Sequence, residues 1–171
     1  MIRNLILSKL DAAEKDLGES IEYARHILRT SLRLFFKFAK FMSFAQHRKV
    51  CAVGPYHVAC IVSSRENDCG PCVQIALNMA RKDGVSADHL QAVIDRRVDE
   101  LPEELADAYR FAEAVCTSNG DEDYLRDRIR ERAGEEALIE LAFGIAAAGV
   151  FPTVKRALGY ATSCSRVALH V

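Results

Sequence analysis

Residues 56–82 read YHVACIVSSRENDCGPCVQIALNMARK, a run in which Cys69 and Cys72 flank Gly70 and Pro71. Which fold holds this pair depends on what surrounds it. A thioredoxin-type dithiol follows a β-strand in a βαβ unit, and no strand pattern precedes Cys69. The residues on both sides instead carry apolar positions three and four apart, so the stretch reads as helix, break, helix. The same spacing runs through almost the whole chain. The fold class this predicts is all-α, a single-domain helical bundle.

Working outward, the break signals divide the chain. Helices are expected at about 2–16, 19–30 and 31–47, and Gly54-Pro55 opens another that runs to about Arg65. Asn67 and Asp68 are the N-cap candidates for the helix carrying both cysteines to Lys82, and Gly84 is placed to end it. Ser86 caps the next. Pro102 with Glu103 and Glu104 opens a helix through about Thr117, and helices at about 121–132, 135–149 and 152–162 follow, punctuated by Gly134, Gly149 and Gly159. Residues 1–49 form N-terminal helices and 50–162 the core, within one globular domain.

The 171 residues are 50% hydrophobic and 27% charged, enough for one sizeable core. Lys and Arg (23) nearly balance Asp and Glu (24), although residues 1–50 hold a basic surplus. That surplus is spread along helix-like sequence and reads as a solvated face, so no nucleic-acid partner is expected. The first apolar run is short and soon interrupted by charge, unlike a secretory leader, and the expected location is cytoplasmic. The longest uncharged stretch, Leu141 to Val154, contains Pro152 and is shorter than the roughly 20 residues of a spanning helix. No phosphate loop or cofactor fingerprint is visible, and no resident cofactor is expected.

Six cysteines, Cys51, Cys60, Cys69, Cys72, Cys116 and Cys164, raise the question of a disulfide framework. In a reducing compartment the close pair points to redox or metal chemistry, and the others to burial. With Cys69 in the first turn of a helix, unpaired backbone N–H groups and the helix dipole favour its thiolate, and Cys72 shares its face. His57, Cys60, Cys69 and Cys72 together also form a permissible tetrahedral zinc set, but their spacing is loose and no metal is expected.

The segment YHVACIVSSRENDCGPCV resembles the core of the alkylhydroperoxidase D-like and carboxymuconolactone decarboxylase-like family, whose motif runs helix, Ser-Arg-x-Asn-x-Cys-x-x-Cys, helix. Ser64, Arg65, Asn67, Cys69 and Cys72 fall in register with it. The resemblance continues in DGVSADHLQAV, LADAYRFAEAV and EEALIELAFGIAAAGVFPTVKRALG, and so covers about residues 50–160. It implies an alkylhydroperoxidase D-like bundle that assembles into homo-oligomers, trimers or hexamers, and reduces a hydroperoxide through its dithiol. In that scheme Cys72 attacks the peroxide and becomes a sulfenic acid, Cys69 condenses with it to a disulfide, and a reducing protein partner resets the pair.

The family's proton relay uses a glutamate and a histidine at the positions held here by His57 and Ala76. His57 is therefore the candidate base, with Glu66 a second, displaced carboxylate candidate. Three functions stand side by side: a thiol peroxidase or disulfide oxidoreductase, a non-enzymatic redox sensor or structural protein, and a lactone decarboxylase, which the dithiol argues against. The stretch SLRLFFKFAKFMSFAQHRK adds five phenylalanines, Phe35, Phe36, Phe38, Phe41 and Phe44, with Arg33, Lys37 and Lys40 as a narrow polar stripe. It reads either as a helix on anionic lipid or, in keeping with the implied oligomers, as one buried between subunits; the second is expected, with no membrane contact.

Overall fold

A computed structural model describes residues 2–163 and 170–171, so Cys164 lies outside the described residues. Among these residues the chain forms nine α-helices, a single 3-10 turn and no strand: α1 (Ile2–Leu17), α2 (Glu22–Thr30), α3 (Leu32–Ala45), α4 (Val53–Glu66), α5 (Gly70–Lys82), α6 (Ala87–Ile94), α7 (Glu103–Thr117), α8 (Glu122–Ala133) and α9 (Glu135–Ala157). The all-α expectation therefore holds. Local chemistry explains several boundaries. The Ser31 and Ser86 hydroxyls accept the backbone N–H groups of Leu34 and His89, capping α3 and α6. Glu103 and Glu104 lie in the first turn of α7, at the positive end of its dipole.

Helix α4 is the axis of the molecule. Tyr56 through Ala59 and Ile61 through Ser64 are all buried, leaving it no solvent face, and it packs against α5, α7 and α9. The Ser63 hydroxyl meets its hydrogen-bonding need inside this core by donating to the Ile145 carbonyl of α9 at 2.7 Å. Close approach of the two helices depends on Gly144: a Cβ there would lie 2.7 Å from Tyr56 Cε2 and 3.2 Å from Cys60 Sγ.

Two boundaries differ from the sequence reading. The expected helices at 135–149 and 152–162 are one, α9, with Pro152 inside it. An interior proline costs about 3 kcal/mol. Burial opposes that cost, because Pro152 is almost wholly enclosed and the turns around it place Phe151 and Val154 against the N-terminal helices. Continuous, α9 is long and apolar enough to cross a membrane, and half of its most apolar window is buried within the fold. The second difference concerns α5. Its N-cap is Cys69 itself, not Asn67 or Asp68: Asn67 closes α4, and Asp68 turns the chain in the left-handed region at φ 49°. Arg156, at the end of α9, holds this turn by donating to the Asn67 carbonyl at 2.6 Å and the Asp68 carbonyl at 3.2 Å.

The apolar interior has two parts. One is built around α4 from residues of α4–α9; the other joins Leu10, Ile21, Tyr23, Ala24, Leu28 and Phe35 of α1–α3 to Val154 and Tyr160. Three phenylalanines of α3 pack within this chain. Phe35 is buried, and Phe38 and Phe41 meet Phe151 of α9 at ring-centroid distances of 6.0 and 5.6 Å. Phe36 and Phe44 remain 46% and 44% exposed, so not all five rings are enclosed within the chain.

Candidate functional site

A cavity of about 230 Å³ lies where the two parts of the interior meet. The N-terminal helices supply one wall, including Ile21, Tyr23 and Met42, and α4, α5 and α9 supply the other. The N-terminal segment, read from sequence as an oligomer contact, thus also lines the cavity. Tyr56 ties the walls together, donating its hydroxyl proton to the Ala45 carbonyl at the end of α3 at 2.8 Å.

The turn between α4 and α5 places the dithiol. Cys69 and Cys72 sit at disulfide-bonding distance, with Cα atoms 5.3 Å apart. They are not equivalent: Cys72 lines the cavity at 6% exposure, whereas Cys69 is 0% exposed and does not line it. The expected free N–H groups at this helix start are largely engaged. Gly70 N–H donates to the Thr162 carbonyl at 3.0 Å, Pro71 has none, and those of Cys72 and Val73 both donate to the Cys69 carbonyl. The helix dipole is what remains to favour a thiolate here.

At the other described cysteines burial outweighs what help there is, from Arg48 beside Cys51, Tyr56 beside Cys60 and Ser63 beside Cys116. Burial pushes the Cys60 thiol up to about 12 and the Cys51 thiol up to about 11, and it also raises Cys116. Cys60 lines the cavity, but as a resting thiol between Tyr56 and Gly144. Among the described residues no three His, Cys, Asp or Glu side chains converge to hold a metal. The zinc set drawn from His57, Cys60, Cys69 and Cys72 is therefore not assembled.

His57 is buried and lines the same cavity as Cys72 and Ala76. Its Nε2 lies 2.7 Å from a carboxylate oxygen of Asp83, the residue that ends α5. A short turn folds α4 and α5 into a helical hairpin, which brings the start of one helix to the end of the other. Sequence reading missed this carboxylate, although a signal was there. An acidic residue at a helix C-terminus runs against the dipole and so points to a nearby cationic or hydrogen-donating partner.

Glu66, the alternative carboxylate, faces elsewhere: it pairs with Arg65 at 3.2 Å and approaches Arg96 at 3.9 Å. Arg65 and Asn67 of the motif shape the scaffold. Arg65 donates to the Tyr109 hydroxyl at 2.8 Å and the Val93 carbonyl at 3.2 Å, while Asn67 Nδ2 donates to the Ser63 carbonyl at 2.8 Å. Ser64, by contrast, is buried against the cavity. The arrangement thus offers one thiol facing a largely apolar cavity, a second thiol behind it, and an imidazole held by a carboxylate. No family model, curated protein or solved structure matches the chain, and its chemistry is read from its own residues.

Proposed function

We propose that this protein is a thiol-dependent peroxidase of the alkylhydroperoxidase D-like kind its motif resembles, working in the cytoplasm as a homo-oligomer. The observation that carries the reading is the asymmetry of the pair: Cys72 faces the cavity that His57 also lines, and Cys69 stands behind it. Peroxide attack needs an accessible sulfur, and resolution needs a second sulfur within bonding distance.

In the proposed cycle the Cys72 thiolate attacks the terminal peroxide oxygen and the O–O bond breaks. The alkoxide leaves as an alcohol after taking a proton, and Cys72 becomes a sulfenic acid. Cys69 then attacks the Cys72 sulfur, an S–S bond forms, and the hydroxyl leaves as water. A dithiol protein returns two electrons and two protons, restoring both thiols. His57 fits the proton transfers: with Nε2–H donated to Asp83, its Nδ1 is the ring's proton acceptor. Asp83 orients the ring. This replaces the Glu–His relay of the resembled family by a His–Asp pair carried on α4 and α5.

Exposed aromatic surface supports self-assembly. Phe44 of α3 and Phe143 of α9 stack at 5.0 Å between centroids while remaining 44% and 43% exposed. Turnover of an alkyl hydroperoxide, with a small dithiol as reductant, tests the enzymatic reading. Wild type is expected to turn over and Cys72→Ser to lose all activity, while Cys69→Ser forms no Cys69–Cys72 disulfide and turns over only as fast as the small dithiol reduces its sulfenic acid directly. A wild-type protein that forms the disulfide reversibly without turnover would support the redox-sensor reading instead.

A further inference from the structure

Lys155 of α9 is 2% exposed and lines the cavity, yet the peroxide chemistry above makes no use of it. Burial lowers its pKa, with Glu19 acting in the opposite sense. Its ammonium lies 5.2 Å from the centroid of the Tyr23 ring, a cation–π contact, and among the described residues no carboxylate comes within the 4 Å of an ion pair. A buried ammonium with no carboxylate at ion-pair distance is costly, and an acidic ligand group placed beside it would remove much of that cost. Two other charged groups of the lining have hydrogen-bond partners within the chain. Asp83 holds His57, and Arg48 donates to the Cys51 carbonyl at 3.2 Å.

The rest of the wall is mostly apolar, with Ile21, Met42, Ile75 and Phe151 among its residues. A space of about 230 Å³ exceeds the roughly 150 Å³ that accommodates benzene and falls below the roughly 300 Å³ at which drug-sized pockets begin. A short hydrocarbon chain with one small headgroup meets those limits.

We propose that Lys155 anchors a carboxylate, so that the cavity takes a short-chain carboxylic acid whose tail extends into the space faced by Cys72. Resting on the peroxidase reading, this names the substrate class as short-chain hydroperoxides that carry a carboxylate. Lys155 is then the residue that selects acids over neutral hydroperoxides.

Binding of octanoate and of 1-octanol to the full-length protein, measured by calorimetry at one pH, tests the assignment. Octanoate is expected to bind at least about tenfold more tightly than octanol, and Lys155→Met to abolish that preference. Equal affinities in wild type would overturn the proposal, as would a preference that survives in Lys155→Met. Should that variant fold poorly, nuclear magnetic resonance of wild type with isotope-labelled lysine decides the matter: octanoate must shift the Lys155 side-chain signal, and no shift contradicts the anchor. Binding is read without turnover, so the two ideas can fail separately. An octanoate preference in a protein that consumes no hydroperoxide keeps the anchor and removes the peroxidase. Turnover with no octanoate preference does the reverse.

Discussion

At the C-cap of α5 the helix dipole disfavours a carboxylate by about 0.3–1 kcal/mol, and Asp83 occupies that position with its oxygen on His57. On the proposed mechanism the contact orients the imidazole, which makes Asp83 a positioning residue. Asp83→Asn should therefore lower kcat about tenfold or more with little change in KM, and Asp83→Glu should recover part of the loss. A merely structural aspartate would show no such rescue, and its loss would appear in the melting temperature instead. The Cys69–Cys72 pair was legible from its spacing, and His57 only through the family that the motif resembles; local order along one hairpin sets the placement of all three. Asp83 and Lys155 were not: they reach the cavity from positions 26 and 98 residues beyond His57, and only helix packing brings them there.

Contacts between elements hold the two walls of the site. Glu140 of α9 is buried and accepts the backbone N–H groups of Lys49, Val50 and Cys51 at 2.8–3.0 Å, fixing the segment that leads into α4. Burial alone would raise its pKa, but the three N–H groups and His47 outweigh it and hold the carboxyl below its ordinary range. A carboxyl lowered by folding contributes stability that is fully present above its unfolded value near about 4.3 and is lost as pH falls through the folded value. Glu140→Gln is thus expected to cost about 1.5–3 kcal/mol at neutral pH and to flatten the acid limb of a melting-temperature profile. An unchanged acid limb would show that other carboxylates govern it. Gly144→Ala should cost about 1–3 kcal/mol by forcing Tyr56 and Cys60 away from α9, as measured by urea unfolding. The helical pattern gave most element positions because amphipathic spacing is local. It failed at Pro152, where the helix-breaking preference of one residue was overridden by burial that the sequence alone does not display.

For the molecule as a whole, the N-terminal helices both cover the cavity and carry exposed aromatic rings. Phe38 and Phe41 pack on Phe151, so replacing them disturbs the site; Phe36 and Phe44 are the informative positions for assembly. On the proposed homo-oligomeric reading, Phe36→Asp/Phe44→Asp is predicted to lower the sedimentation coefficient, and an unchanged value would place any subunit contact elsewhere. On the proposed mechanism Cys72 receives the peroxide oxygen inside the cavity and Cys69 resolves it. Reduced Cys69→Ser protein treated with one equivalent of alkyl hydroperoxide, trapped with a sulfenic-acid reagent and mapped by mass spectrometry, tests this directly. The adduct is expected on Cys72, with wild type giving the Cys69–Cys72 disulfide instead; an adduct on Cys60 or another cysteine, or none at all, would rule this mechanism out.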